Sequence, residues 1–441
     1  MPPQRSLLRQ RNASFVCAAI AIALSVFNSP ASAVDPLYTV EERAFAVASP
    51  SLIYLEAQVT GFLRRKDTGE KFDAAAILVS NKCTGFAVSA QGHAISATHC
   101  VRPTADAVHR TAASQLAASR VRAGHLQPGQ REAFAKEVLD STDFTGETQG
   151  SKAKSVVLGQ PYKGEAGAPA GKALEAEVVA SQSIADGDVV LLKFASTIPA
   201  VQLAEAGTST GSPATIVSLA VDSDGRNFLP RFKPAKITGE YGSRVPPSFQ
   251  MDADLGEVSL GGMVVDASGR VVGMINVNPS APSKVNNHVT NLEHIKRILS
   301  QANTQNSASP ADDAYRAGLN SYFSGRYSDA GGKFDAVLAA HADHPLAASY
   351  KKFAAELLAV EGEKTEDSGL PGWALALIVS LAAALVAAVG LIFYLNGKRR
   401  SATPAATAGY SPATGHDSGQ AAEYDYMSIF RQPSDGAEKT D

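Results

Sequence analysis

The stretch that most constrains the fold is MDADLGEVSLGGMVVDASGRVV, residues 251–272. It reads as a strand, a tight glycine-bearing loop, a second strand, an Asp-Ala-Ser-Gly-Arg turn and a third strand. Period-two runs of the same kind recur at 51–63, 76–79, 84–89, 93–97, 189–194, 214–220, 263–265 and 271–277, with Gly, Asp, Asn and Pro between them. Many short strands joined by turn chemistry imply an all-β barrel or sandwich.

Two regions depart from that pattern. Between 101 and 180 the chain is rich in Ala, Lys and Gly, with helix-like pieces TAASQLAASR and REAFAKEVLD and a polar loop at 146–172. It is expected to be an insertion on the barrel surface. After Ile295 a polar linker (301–310) leads to a helical segment (311–360) in which Gly318, Tyr322, Gly325, Tyr327, Ala330 and Phe334 are spaced as G-x3-Y-x2-G-x-Y-x2-A-x3-F. This resembles one tetratricopeptide repeat, with small residues where two helices touch and aromatics between them. One such unit does not bury its own face. It is therefore expected to pack on the β domain or to dock a partner.

The two ends predict a topology. Arg5, Arg9 and Arg11, an apolar run at 15–27 and Ala31-Ser32-Ala33 describe a secretory signal peptide over 1–33. The uncharged run 373–395, followed by Lys398, Arg399 and Arg400, predicts one transmembrane helix over 371–397. Positive charge stays inside, so the bulk of the chain is expected outside the cytoplasm. Residues 398–441 form a disordered cytoplasmic tail in this reading. The expected location is thus the cell membrane, with a single pass. Without its leader the chain keeps only Cys83 and Cys100, a possible pair in an oxidising compartment. A net charge of −3 gives no reason to expect nucleic acid.

Three motifs carry chemistry. CTGFAVSAQGHAISATHCV (83–101) and DGDVVLLKF (186–194) precede the 251–272 stretch. Together they resemble the trypsin-like serine proteases, particularly the bacterial HtrA-like branch. Cys83, Gly85, Gly92, Ser96, Ala97, His99, Cys100 and Val101 match the first family motif. The resemblance implies that His99 is the general base, that Cys83 and Cys100 form the adjacent disulfide, and that Asp188 orients the base, with Asp186 the weaker candidate. In the third motif Asp252, Ala253, Gly261, Gly262, Asp266 and Gly269 align without a gap.

Leu260 falls on the family's nucleophile position, and leucine has no nucleophilic atom. Val258 replaces the glycine of the oxyanion loop, where a β-branched residue resists the backbone needed. Met263 replaces the usual proline. A hydroxyl lies one residue away, at Ser259, but a one-residue slip along an extended chain turns the side chain to the other face. The oxyanion loop by this alignment comprises Val258, Gly261 and Gly262. The remaining histidines form no metal-ligand spacing, and His341 and His344 mark a helix end. No metal or cofactor is expected.

The expected fold is mainly β: a two-barrel chymotrypsin-like domain over 34–300, then the small tetratricopeptide-like helical segment and the transmembrane helix. Three functions stay open. The first is a degenerate protease that binds peptides or partner proteins. The second is an active endopeptidase using His99, Asp188 and Ser259. The third is a protein-interaction module in the helical segment and tail. The sequence does not indicate an oligomeric state.

Overall fold

The computed structural model describes residues 38–164, 172–221, 228–242, 245–253, 259–276 and 287–363. The expected leader, membrane span and tail lie outside them. Among the described residues no helix is long and apolar enough to cross a membrane. The chain divides into Met1–Thr39 and a compact unit, Val40–Asp441, which is the one described below.

Helix α1 (Val40–Ala48) precedes the first barrel. Its strands are β1 (Leu52–Arg65), β2 (Ile77–Ala87), β3 (His93–Ala97), β4 (Thr142–Thr145), β5 (Lys154–Pro161), β6 (Leu174–Ser181) and β7 (Val189–Phe194). The order β2-β3-β7-β6-β5-β1 closes through antiparallel pairing of β1 with β2, which gives a six-stranded barrel. Strand β1 outruns the barrel, and Phe62 to Arg65 pair with β4 instead. The period-two pattern of β1 turns Ile53, Leu55 and Ala57 to the face that also carries Ala87, Ala94 and Leu192, all of them buried.

The second barrel is β8 (Pro213–Val221), β9 (Phe228–Tyr241), β10 (Ser248–Met251), β11 (Met263–Val265), β12 (Val271–Asn276) and β13 (His288–Asn291). These close in the order β10-β13-β12-β11-β8-β9. Ile216, Ile237, Phe249, Val264, Ile275 and Val289 fill it. The Asp266–Gly269 turn forms as its residues dictate: Gly269 N–H donates to Asp266 O at 2.9 Å, and the Asp266 carboxylate receives Ser268 N–H at 2.8 Å.

Between β3 and β4 lie helices α2 (Thr98–Val101), α3 (Ala105–Arg122) and α4 (Arg131–Ser141). Thr104 caps α3 by accepting from Ala107 N–H at 3.2 Å. Val108, Ala112, Ala113 and Leu116 of α3 pack on Val59, Leu63 and Val79 of the barrel. The stretch 101–180, expected as one surface insertion, therefore divides. Its first half is helical, whereas 154–161 and 174–181 are barrel strands. In β6 half-buried and exposed residues alternate along its whole length, so the strand shows no strongly apolar run in the sequence.

After β13, Asn291 caps helix α5 (Leu292–Gln301), accepting from Glu293 N–H at 3.0 Å. Three more helices follow: α6 (Pro310–Phe323), α7 (Tyr327–Ala340) and α8 (Ala347–Glu361). Tyr315, Tyr322, Phe334 and Tyr350 are buried together between them. This segment packs on the β domain. Tyr315 OH donates to Ala46 O of α1 at 3.1 Å, and Arg316 Nη2 donates to Ala200 O at 2.8 Å.

Candidate active site

His99 sits in α2, a single helical turn that leaves the end of β3. Its Nδ1 lies 2.6 Å from Asp188 Oδ2, and its backbone N–H donates to Asp188 Oδ1 at 2.9 Å. Thr98 N–H donates to Asp188 O at 3.0 Å. The aspartate thus grips both the ring and the backbone of the turn. Asp188 is fully buried and has φ +59°, a left-handed conformation that Asp tolerates better than most residues. A carboxylate accepting from Nδ1–H holds the ring in the tautomer whose Nε2 is the basic atom. Asp186, the weaker candidate, is exposed and accepts from Ser183 Oγ at 2.6 Å. It does not approach the histidine.

The expected disulfide is formed between Cys83 and Cys100, with Cα atoms 6.0 Å apart. Cys83 lies on β2, but Cys100 lies in α2, so the bridge joins a strand to a helical turn rather than two strands. The Cys100 sulfur lies 3.7 Å from His99 Nε2. No hydroxyl among the described residues comes within hydrogen-bond distance of that nitrogen.

The loop that should supply the nucleophile is built as an inter-barrel joint. Leu260 is half-buried and packs on the core of the second barrel, and its carbonyl accepts from Thr84 N–H of β2 at 2.9 Å. Ser259 is fully buried. Its carbonyl accepts from Gly262 N–H at 2.8 Å and from Ser218 Oγ at 3.2 Å. Gly261 has φ +79°, and a Cβ there would lie 2.2 Å from Thr84 O and 2.5 Å from Ser96 Oγ. Only glycine fits this left-handed, tightly enclosed position. Gly261 N–H donates to Ile275 O at 2.9 Å. The N–H groups of Gly261 and Gly262, the two glycines of this loop, are therefore engaged within the protein. Val258 lies outside the described residues.

Sequence reading missed the polar packing around this joint. Thr84 Oγ1 and Ser218 Oγ are 3.0 Å apart, Ser96 Oγ donates to Thr84 O at 2.7 Å, and all three side chains are buried. Beside Asp188, Asn276 Nδ2 donates to Thr290 Oγ1 at 2.7 Å, and Thr290 Oγ1 donates to Gly187 O at 3.1 Å. Each hydroxyl in the sequence is an ordinary strand residue, and only the meeting of distant strands groups them.

A trypsin-like peptidase domain is recognised over residues 83–274, which span the histidine, aspartate and glycine-loop motifs. Among solved structures, a serine endoprotease from Yersinia pestis is similar at 12% identity and a TM-score of 0.35, over 60% of this chain and 67% of that one. The Rv3671c protease in its inactive form is similar at 16% identity and a TM-score of 0.34, over 60% of this chain and 94% of that one. No curated protein matches the chain in sequence.

Proposed function

Because residues 83–274 make this chain a member of the trypsin-like peptidase family, we propose that it works as a peptidase-fold binding protein without hydrolytic chemistry, taking peptides or partner proteins. One observation carries the reading. Among the described residues no hydroxyl lies within hydrogen-bond distance of Nε2 of the correctly oriented His99, and Leu260 occupies the nucleophile position and packs on the second barrel's core. Acyl transfer needs an attacking group beside its base and free donors for the oxyanion. Ser259, the neighbouring hydroxyl, is fully buried. The same proposal includes export and anchoring by one membrane helix. Its supports are the sequence pattern at both ends and the Cys83–Cys100 bridge, which suits an oxidising compartment.

The intact His99–Asp188 pair favours a second reading, an endopeptidase that uses Ser259. A fluorophosphonate probe on the full-length protein separates the two. No covalent labelling is expected from the native chain. Labelling that vanishes in Ser259→Ala would establish the enzyme and end the binding-only proposal. Leu260→Ser places a hydroxyl where the family keeps its nucleophile, and it is expected to label faster than the native chain.

A further inference from the structure

Strand β2 has one partnered edge and one largely bare edge. Along its full length it pairs with β1, but β3 joins its other edge only at Phe86 and Ala87. Thr84 N–H points away from β1, toward Leu260 O. The register from Ile77 to Phe86 is unbroken, so alternate residues direct their backbone groups the same way. Leu78 and Ser80 therefore present N–H and C=O groups along the bare edge, and no strand among the described residues pairs with them there.

That edge opens into a groove of about 570 Å³ between the start of β2 and helix α3. Ile77 and Leu78 form one wall, and Ser114, Gln115 and Ala118 form the other. Leu78 is 47% exposed, a large apolar side chain on an open strand edge. The charge lining is one-sided. Asp73 is neutralised by Arg120 at 2.7 Å. Arg122 and Arg131 are exposed, and neither has a carboxylate partner among the described residues. Arg131 makes only a 3.4 Å contact to Ser114 Oγ.

We propose that this groove binds an extended acidic segment of a partner protein, which adds as a strand to β2 at Leu78 and Ser80. Backbone pairing supplies affinity, one face of the added strand covers Leu78, and carboxylates reach Arg122 and Arg131. A bare strand edge beside a helix selects extended backbone, and the two unpaired guanidiniums select negative charge. None of the groove residues belongs to the His99 site, so the proposal stands whether or not the cleft is catalytic.

The test uses the full-length protein and a fluorescein-labelled peptide of alternating Val and Glu, followed by anisotropy. The peptide is expected to bind, and the matching Val–Lys peptide is not. Arg122→Glu with Arg131→Glu should weaken binding by about tenfold or more and reverse the salt dependence. Both side chains are exposed, so the fold survives the exchange. Hydrogen exchange should show new protection at the Leu78 and Ser80 amides when the Val–Glu peptide is present. Absence of binding, equal binding of the lysine peptide, or binding without protection at those amides each overturns the proposal. Protection without added peptide, in a dimer seen by sedimentation, also overturns it, since the occupant would then be a second copy of this chain.

Discussion

Gly261 and His344 show how much one position can hold. Gly261→Ala sets a Cβ against Thr84 O in a left-handed backbone, and it is expected to cost at least about 2 kcal/mol. Urea unfolding measures the loss, and an unchanged midpoint would contradict the packing described. His344, between α7 and α8, accepts at Nδ1 from Ala347 N–H at 3.2 Å and so caps α8. Burial, then the neighbouring His341, pushes its pKa down to about 4, against a smaller upward effect of Asp343. The folded state thus resists a proton that the unfolded chain takes up below about pH 6.5. Stability from this residue is present above that pH and is lost as pH falls toward 4, by about 3 kcal/mol in total. His344→Asn keeps a capping acceptor and removes the titration. Its melting temperature should fall less steeply than the native one between pH 6.5 and 4.

At the scale of elements, the turn that carries His99 is held from two sides. Asp188, at the start of β7, accepts from its backbone and ring, and the Cys83–Cys100 bridge ties it to β2 across 17 residues. Closing a loop of that size is worth about 3 kcal/mol, chiefly through the unfolded chain. Replacing both cysteines by serine should lower stability by about that amount while His99 stays paired with Asp188. Calorimetry reads the first effect, and the histidine's Nδ1–H proton resonance reads the second. Most of this site was legible in the sequence because its residues lie within short motifs: His99 beside Cys100, and Asp188 before an apolar strand. The bare edge of β2 was not legible. Which edge of a strand is covered depends on the length of a neighbour, here the five-residue β3, that nothing in β2 encodes.

At the scale of the whole molecule, the C-terminal helices act as part of the β domain's wall. Tyr315 bonds to Ala46, Arg316 to Ala200, and the Arg43 guanidinium lies 5.3 Å from the Phe323 ring centre. Helix α1 is thereby held between α6 and the second barrel, where Phe45 meets Phe232 at 5.1 Å. Deleting 310–363 should expose α1, lower the melting temperature and open α1 to limited proteolysis. An unchanged melting curve would mean that the helices form an independent unit.

The sequence by itself determined the β class, the histidine–aspartate–glycine-loop order, the cysteine pair and the absence of a nucleophilic atom at position 260. These are local facts: alternation, turn chemistry and side-chain identity need no distant partner to be read. Only the tertiary structure decided that 154–161 and 174–181 belong to the barrel, that Ser259 is buried, and that the N–H groups of Gly261 and Gly262 are already engaged. Each of those depends on which strands meet across long sequence separations, and the period-two pattern of one strand carries no record of its neighbours.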